Sequence, residues 1–263
     1  MPAGRSTELR RLSEANSEPG SGTISGIVRV LNLVLGPLTR RDWRDQVKLP
    51  ATGGVIIAAN HISNVDPLAL GQFIAYSGRW PRFLAKASLF RGRFLGRLLT
   101  AAGQIPVERS TRQSGDALQA AWEAIEAGRA VVIYPEGTIT RDPDLWPMRA
   151  KTGVVRLALE TRCPIIPVGQ WGAQDIMWGP RLALPRIWPR KTLRFLVGDP
   201  VPLDDLRGVP ITAAVLTGAA DRVMTAITAL VAELRQEVPP TTRYDPRTGS
   251  EGAGPPQPGV AAR

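Results

Sequence analysis

Short apolar runs alternate with longer amphipathic segments through most of the 263 residues, and this alternation constrains the fold more than any other feature. "GVIIAA" (54–59) is apolar without a break, the pattern of a strand buried on both faces. "PLALGQFIAYS" (67–77) predicts a helix with Pro67 in its first turn. "RFLAK" predicts a strand, "SLFRGRFLGRLLTAAG" (88–103) a helix ended by Gly103, and "QIPV" a short strand. "SGDALQAAWEAIEAG" (114–128), "RAVVIY", "KTGVVRLALETR" (151–162), "PIIPVG" (164–169) and "TLRFLVG" continue as helix, strand, helix, strand and strand. A long helix over 211–238 closes the series. Strands separated by helices predict an α/β domain with a mostly parallel central sheet flanked by helices. Ligands of such sheets gather beyond the carboxyl ends of the strands. His61, Arg109 and Glu136 each follow a predicted strand, so three strand ends should converge on one crevice.

The alternation is bounded by polar segments. Residues 1–22 and 239–263 are rich in Gly, Pro and charge and are expected to be disordered tails. The first residues have no apolar core of the kind a secretory signal carries. Residues 23–45 are expected to form an N-terminal amphipathic helical element, with Gly36-Pro37 bending or ending it. Its apolar length of about 15 residues falls short of the roughly 20 that span a bilayer, so it lies in an interface or packs on the domain. No other segment reads as a span.

Net charge is +10, which suits an anionic partner. Between Arg79 and Arg112 stand eight basic residues and one acid, Glu108, interleaved with Phe90, Phe94, Leu95, Leu98 and Leu99. A basic amphipathic stripe fits an anionic membrane surface, or a helix packed on a sheet. No nucleic-acid recognition motif accompanies the charge. The lone Cys163 excludes an internal disulfide and a cysteine-built metal site, and it reads as a small buried hydrophobe. A reduced, cytoplasm-facing compartment fits this composition. Trp171, Trp178 and Trp188, in the irregular stretch 170–192, suit a membrane interface, an apolar pocket or a loop packed on the sheet.

"AANHISNVDP" (58–67) contains the only histidine. Neutral imidazole is the side chain suited to deprotonate a hydroxyl near neutral pH, and a carboxylate can hold its second nitrogen. His61 and Asp66 are five positions apart, about 140° around a helix, so a contact requires a turn. Asp66 before Pro67 is also an N-cap signature. Gly137 in "YPEGT" allows a tight turn with free N–H groups, a place for an anion. Glu136 can pair with an arginine or accept from a hydroxyl. Arg109, ending "GQIPVER", can grip a phosphate with two parallel hydrogen bonds.

"NHISNVD", "GQIPVER", "YPEGT" and "PIIPVG", in this order, resemble the four motifs of the 1-acylglycerol-3-phosphate O-acyltransferases. The resemblance covers about residues 24–202 and implies a glycerol-3-phosphate acyltransferase-like fold, with the acyltransferase domain at 46–238. It implies that His61 acts as general base on a glycerol hydroxyl, with Asp66 orienting it. Arg109 would bind the acceptor phosphate, and Glu136, Gly137 and Thr138 would form the acceptor-side wall. Lys86 and Lys151 stand where family members often carry basic residues. After "PEGT" many members continue Arg-Ser, whereas this chain has Ile139 and Thr140. Arg141 then substitutes from a shifted position, or the acceptor differs. The implied reaction moves a fatty acyl group from acyl-CoA or an acyl carrier protein to a lysophospholipid such as lysophosphatidic acid. It implies no metal and no cofactor beyond acyl-CoA as co-substrate, and work at the cytoplasmic face of the cell membrane as a peripheral protein. The competing readings are the same chemistry on another lipid acceptor and a non-catalytic lipid-binding protein of this fold. No Gly-x-Ser-x-Gly elbow supports a hydrolase.

Overall fold

The computed structural model describes residues 21–107, 114–177, 184–246 and 250–251. Its sheet contains β1 (Thr39–Arg44), β2 (Val55–Ala59), β3 (Pro81–Lys86), β4 (Ile105–Val107), β5 (Ala130–Ile133), β6 (Ile165–Trp171) and β7 (Lys191–Val197). The order is β1-β7-β6-β2-β5-β3-β4. From β6 to β4 every neighbour is parallel. β7 is antiparallel to β6, and β1 runs parallel to β7.

Side chains alternate across the sheet and build a core on each face. Ile56, Ala58, Val131, Ile133 and Ile165 face α4 (Ser114–Glu126), α5 (Gly153–Thr161) and α6 (Ala213–Arg235). Val55, Ile57, Ala59, Val132 and Ile166 face α2 (Asp66–Tyr76) through Ala69, Leu70 and Phe73. Phe73 also stacks on Phe195 of β7 with centroids 4.8 Å apart. Helix α1 (Ser21–Leu38) docks by Ile24 and Val28 against Tyr76, Trp80 and Ala102. Each such side chain contributes roughly 1.5–3 kcal/mol on burial, which holds α1 to the domain.

Four expectations change. Residues 39–45 do not belong to the helical element. The Thr39 hydroxyl donates to Leu35 O at 2.6 Å where α1 ends, and Thr39–Arg44 becomes edge strand β1. Its sequence TRRDWR carries charge because one side of an edge strand meets water, so no apolar run announced it. The helix expected over 88–103 divides. Ala87–Arg91 forms a 3₁₀ turn, Gly92 is extended, and α3 (Arg93–Ala101) starts after it. A Cβ on Gly96 would stand 2.0 Å from Phe90 O, so glycine is what lets α3 fold back onto that turn. Part of the expected tail is structured. Arg149 N donates to Tyr244 O at 3.1 Å, and the Arg149 guanidinium pairs with Asp245 at 3.0 Å. Helix α6 is long and apolar enough to cross a membrane, although the sequence reading found no such segment. Its apolar face is instead in the core, with Val223, Met224, Ile227 and Val231 buried.

The basic stripe is also not one surface. The Arg79 guanidinium donates to Pro50 O at 2.6 Å, Gly53 O at 2.8 Å and Gly128 O at 2.9 Å, and the residue is 2% exposed. Arg82 is buried too and donates to Ala102 O. These two arginines satisfy loop carbonyls that no strand reaches. Arg79→Met should lower the unfolding free energy by about 2–4 kcal/mol, because charged hydrogen bonds are worth about 1.5–3 kcal/mol each and methionine recovers part by packing. Urea unfolding checks this.

Candidate active site

Because β2, β5 and β3 are parallel, Asn60, Tyr134 and Lys86 emerge at the same edge of the sheet. His61 lies two residues past the end of β2. Its Nδ1 lies 2.8 Å from Asp66 Oδ2 across a turn, as a five-residue spacing demands. The same oxygen accepts from Ile62 N at 2.6 Å and Ser63 N at 2.8 Å. Asp66 therefore turns back to the loop, and it is the first helical residue rather than the forward-pointing cap that its sequence position suggested. Its place in the first turn of α2 suits negative charge. Asp66 is 0% exposed, whereas the His61 side chain keeps 15% of its surface open. With Asp66 accepting at Nδ1, the Nδ1–H tautomer is selected and Nε2 carries the lone pair.

The turn after β5 braces the histidine backbone. Glu136 Oε1 accepts from His61 N at 2.9 Å and Oε2 from Met148 N at 3.0 Å. Thr140 N donates to His61 O at 2.7 Å. Both oxygens of Glu136 hold backbone, and its side chain is buried. The Gly137 N–H is not free for an anion, because it donates to Tyr134 O at 2.9 Å. Gly137 has φ 73°, and a Cβ there would meet Lys151 Cε at 3.0 Å, so Lys151 lies over this turn. Thr138 is half-buried on the same turn, while Lys86, Arg141 and Lys151 are exposed. Arg109 lies outside the described residues.

Three side chains packed beside the histidine carry no sequence signal of their own, although Asn60 and Tyr134 stand inside quoted motifs and Gln170 directly follows one. Asn60 and Gln170 pair across β2 and β6. Asn60 Nδ2 donates to Gln170 O at 3.0 Å, Gln170 N to Asn60 Oδ1 at 2.9 Å, and Gln170 Nε2 to Asn60 O at 2.5 Å. The Tyr134 ring stacks on the imidazole with centroids 4.1 Å apart. Trp171 ends β6 beneath Arg235, whose guanidinium carbon sits 4.4 Å from its ring and 3.9 Å from that of Trp146. Among the described residues no group of three His, Cys, Asp or Glu stands together as a metal site would require.

Burial pushes the Glu136 carboxyl from its ordinary 4.5 up to about 8, with the Met148 and His61 N–H groups pulling the other way. Between those values the unfolded chain sheds a proton that the folded chain keeps. The stabilisation is complete below the ordinary value, is lost as pH rises, and levels off above the folded value. Urea unfolding should therefore show stability falling from about pH 5 to about pH 8, with a flatter profile in Glu136→Gln.

The family profile described as Acyltransferase matches residues 40–171. A 1-acyl-sn-glycerol-3-phosphate acyltransferase of Borreliella burgdorferi is 36% identical over 122 residues, covering 46% of each chain. One from Bacillus subtilis is 25% identical over 163 residues, covering 62% of this chain and 74% of that one. A chloroplastic protein of the same name from Brassica napus is 29% identical, with 40% of its length covered, so the chain spans under half of some of its relatives. The crystal structure of the 1-acyl-sn-glycerophosphate (LPA) acyltransferase PlsC from Thermotoga maritima has the same fold, with TM-score 0.62 at 20% identity over 82% of this chain and 81% of that one. The profile spans half of the chain and contains the His61–Asp66 pair, the Glu136 turn and strand β6, and the chain belongs to the acyltransferase family.

Proposed function

We propose that the protein transfers a fatty acyl group from acyl-CoA to the free hydroxyl of lysophosphatidic acid, giving phosphatidic acid. The 2.8 Å contact between His61 Nδ1 and buried Asp66 Oδ2, with 15% of the His61 side chain left open, carries this reading. Nε2 takes the hydroxyl proton as the oxygen attacks the thioester carbonyl, and Asp66 stabilises the imidazolium that forms. The tetrahedral intermediate collapses, the C–S bond breaks, and the imidazolium returns its proton to the departing thiolate. Atoms and charge balance without a cofactor. The names of the relatives support lysophosphatidic acid as acceptor. Ile139 and Thr140, where many relatives carry Arg-Ser, favour a second reading in which the same chemistry acts on another lipid acceptor.

Membrane contact at the cytoplasmic face, where acyl-CoA is available, completes the proposal. Val30, Leu33 and Val34 form an outer apolar stripe on α1, with Leu33 77% exposed. Phe94 on α3 is 81% exposed, and Arg93 and Arg97 are exposed beside it. Apolar residues flanked by arginines suit the interface of an anionic bilayer, where each basic group contributes about 1 kcal/mol. Thiol release from acyl-CoA should require lysophosphatidic acid, and release without any acceptor would sink the transferase reading. Sedimentation with anionic liposomes should weaken with salt and in Leu33→Asp/Phe94→Asp. Equal binding to neutral vesicles at every salt concentration would remove the electrostatic part.

A further inference from the structure

The imidazole of a general base must keep its plane while it gains and loses a proton. Asp66 fixes one edge of His61, but a single hydrogen bond leaves rotation about that contact. The opposite constraint comes from Tyr134, whose ring lies parallel to the imidazole within 14°. The far end of Tyr134 is buried, and among the described residues neither its Oη nor Gln170 Oε1 has a hydrogen-bond partner. The Gln170 amide nitrogen is committed to Asn60 O, so its oxygen must face away from Asn60. Of these two atoms only the phenol carries a proton to donate. Burial first and the Asp66 charge second push the Tyr134 hydroxyl well above its ordinary range, while the Gln170 side chain opposes them, so the phenol stays a donor beside that amide.

The His61 ring rests on the Tyr134 ring, and Gln170 is hydrogen-bonded to Asn60, the chain neighbour of His61. We propose that Tyr134 is a positioning residue of the acyl transfer, holding the plane of the His61 imidazole with its ring. This rests on the acyl-transfer reading above and adds a residue to it. The effect is differential. An aromatic face attracts a cation more than a neutral ring, so Tyr134 favours the imidazolium that forms during attack. The loss on removing it falls on turnover rather than on acceptor binding.

The test uses the untagged full chain, in which His61 gives the only imidazole signals. The Tyr134 ring current should displace the His61 ring protons upfield in NMR spectra. In Tyr134→Leu these signals should move downfield, and kcat should fall about 10-fold while KM stays within about 2-fold. Tyr134→Phe keeps the ring and loses only the hydroxyl. It should restore the upfield shift and recover most of kcat. Unmoved imidazole signals in Tyr134→Leu would overturn the clamp. So would lower thermal stability with wild-type kcat per folded molecule, because the ring would then serve packing alone. If the wild type itself transferred no acyl group, the acyl-transfer reading would fall and the assignment of Tyr134 to that reaction with it, whereas the imidazole signals would still decide whether the rings stack.

Discussion

His61→Ala should lower acyl-transfer turnover by about 10²–10⁴-fold while the protein remains folded, the loss expected when a general base is removed. His61 is the only histidine, so no second imidazole can take over. Among the described residues the side chain makes one hydrogen bond, to Asp66, while its backbone N–H and C=O are held by Glu136 and Thr140. Alanine keeps those backbone bonds, which is why the fold should survive. The KM for either substrate should change little, because the proton is transferred only as the hydroxyl attacks. The check is steady-state kinetics beside circular dichroism and a melting curve. Wild-type turnover in a folded His61→Ala protein would remove the central mechanistic claim.

Asp66→Asn should bring the second large effect, again about 10²–10⁴-fold in kcat, accompanied by a stability loss of about 2 kcal/mol. Three N–H groups converge on Asp66 Oδ2, from the His61 ring, Ile62 and Ser63. An amide oxygen offers these donors no negative charge, and an amide nitrogen turned toward them offers no acceptor at all. If the nitrogen faces His61, the ring must present Nδ1 as acceptor, which places the proton on Nε2 and leaves no base toward the substrate. The double variant His61→Ala/Asp66→Asn should lose hardly more activity than either single one, because the two act as a unit. Additive losses would show that Asp66 acts independently of the imidazole.

Much of the fold was legible because burial leaves a mark on composition. β2 and β5 lie under helices on both faces, so each strand is an apolar run bounded by turn residues. The helices α4, α5 and α6 show their buried faces as periodic apolar positions. Strand β1 was not legible, since an edge strand with charged side chains has the composition of a surface loop. The break at Gly92 was hidden for a different reason. The apolar spacing runs on through it, and only the close approach of Gly96 to Phe90 O requires the chain to turn there.

The candidate site divides the same way. The sequence by itself singled out His61 and Asp66 through four motifs in order rather than through their five-residue spacing alone, and the two side chains do meet, at 2.8 Å. It also located the tight turn at Gly137, since glycine tolerates the left-handed backbone found there. Only the tertiary structure decided which groups stay exposed and which are held by protein. Glu136 is committed to two backbone N–H groups 75 and 12 residues away. Arg79 and Arg82 are spent on loop carbonyls inside the domain, while Arg93 and Arg97 remain on its surface. Tyr134 meets His61 only because β2 and β5 are parallel neighbours in the sheet. Residue type tells what a side chain can donate or accept, but its partner is set by which strands lie side by side. That order follows from burying both faces of the sheet at once, a property of the whole chain and of no single motif.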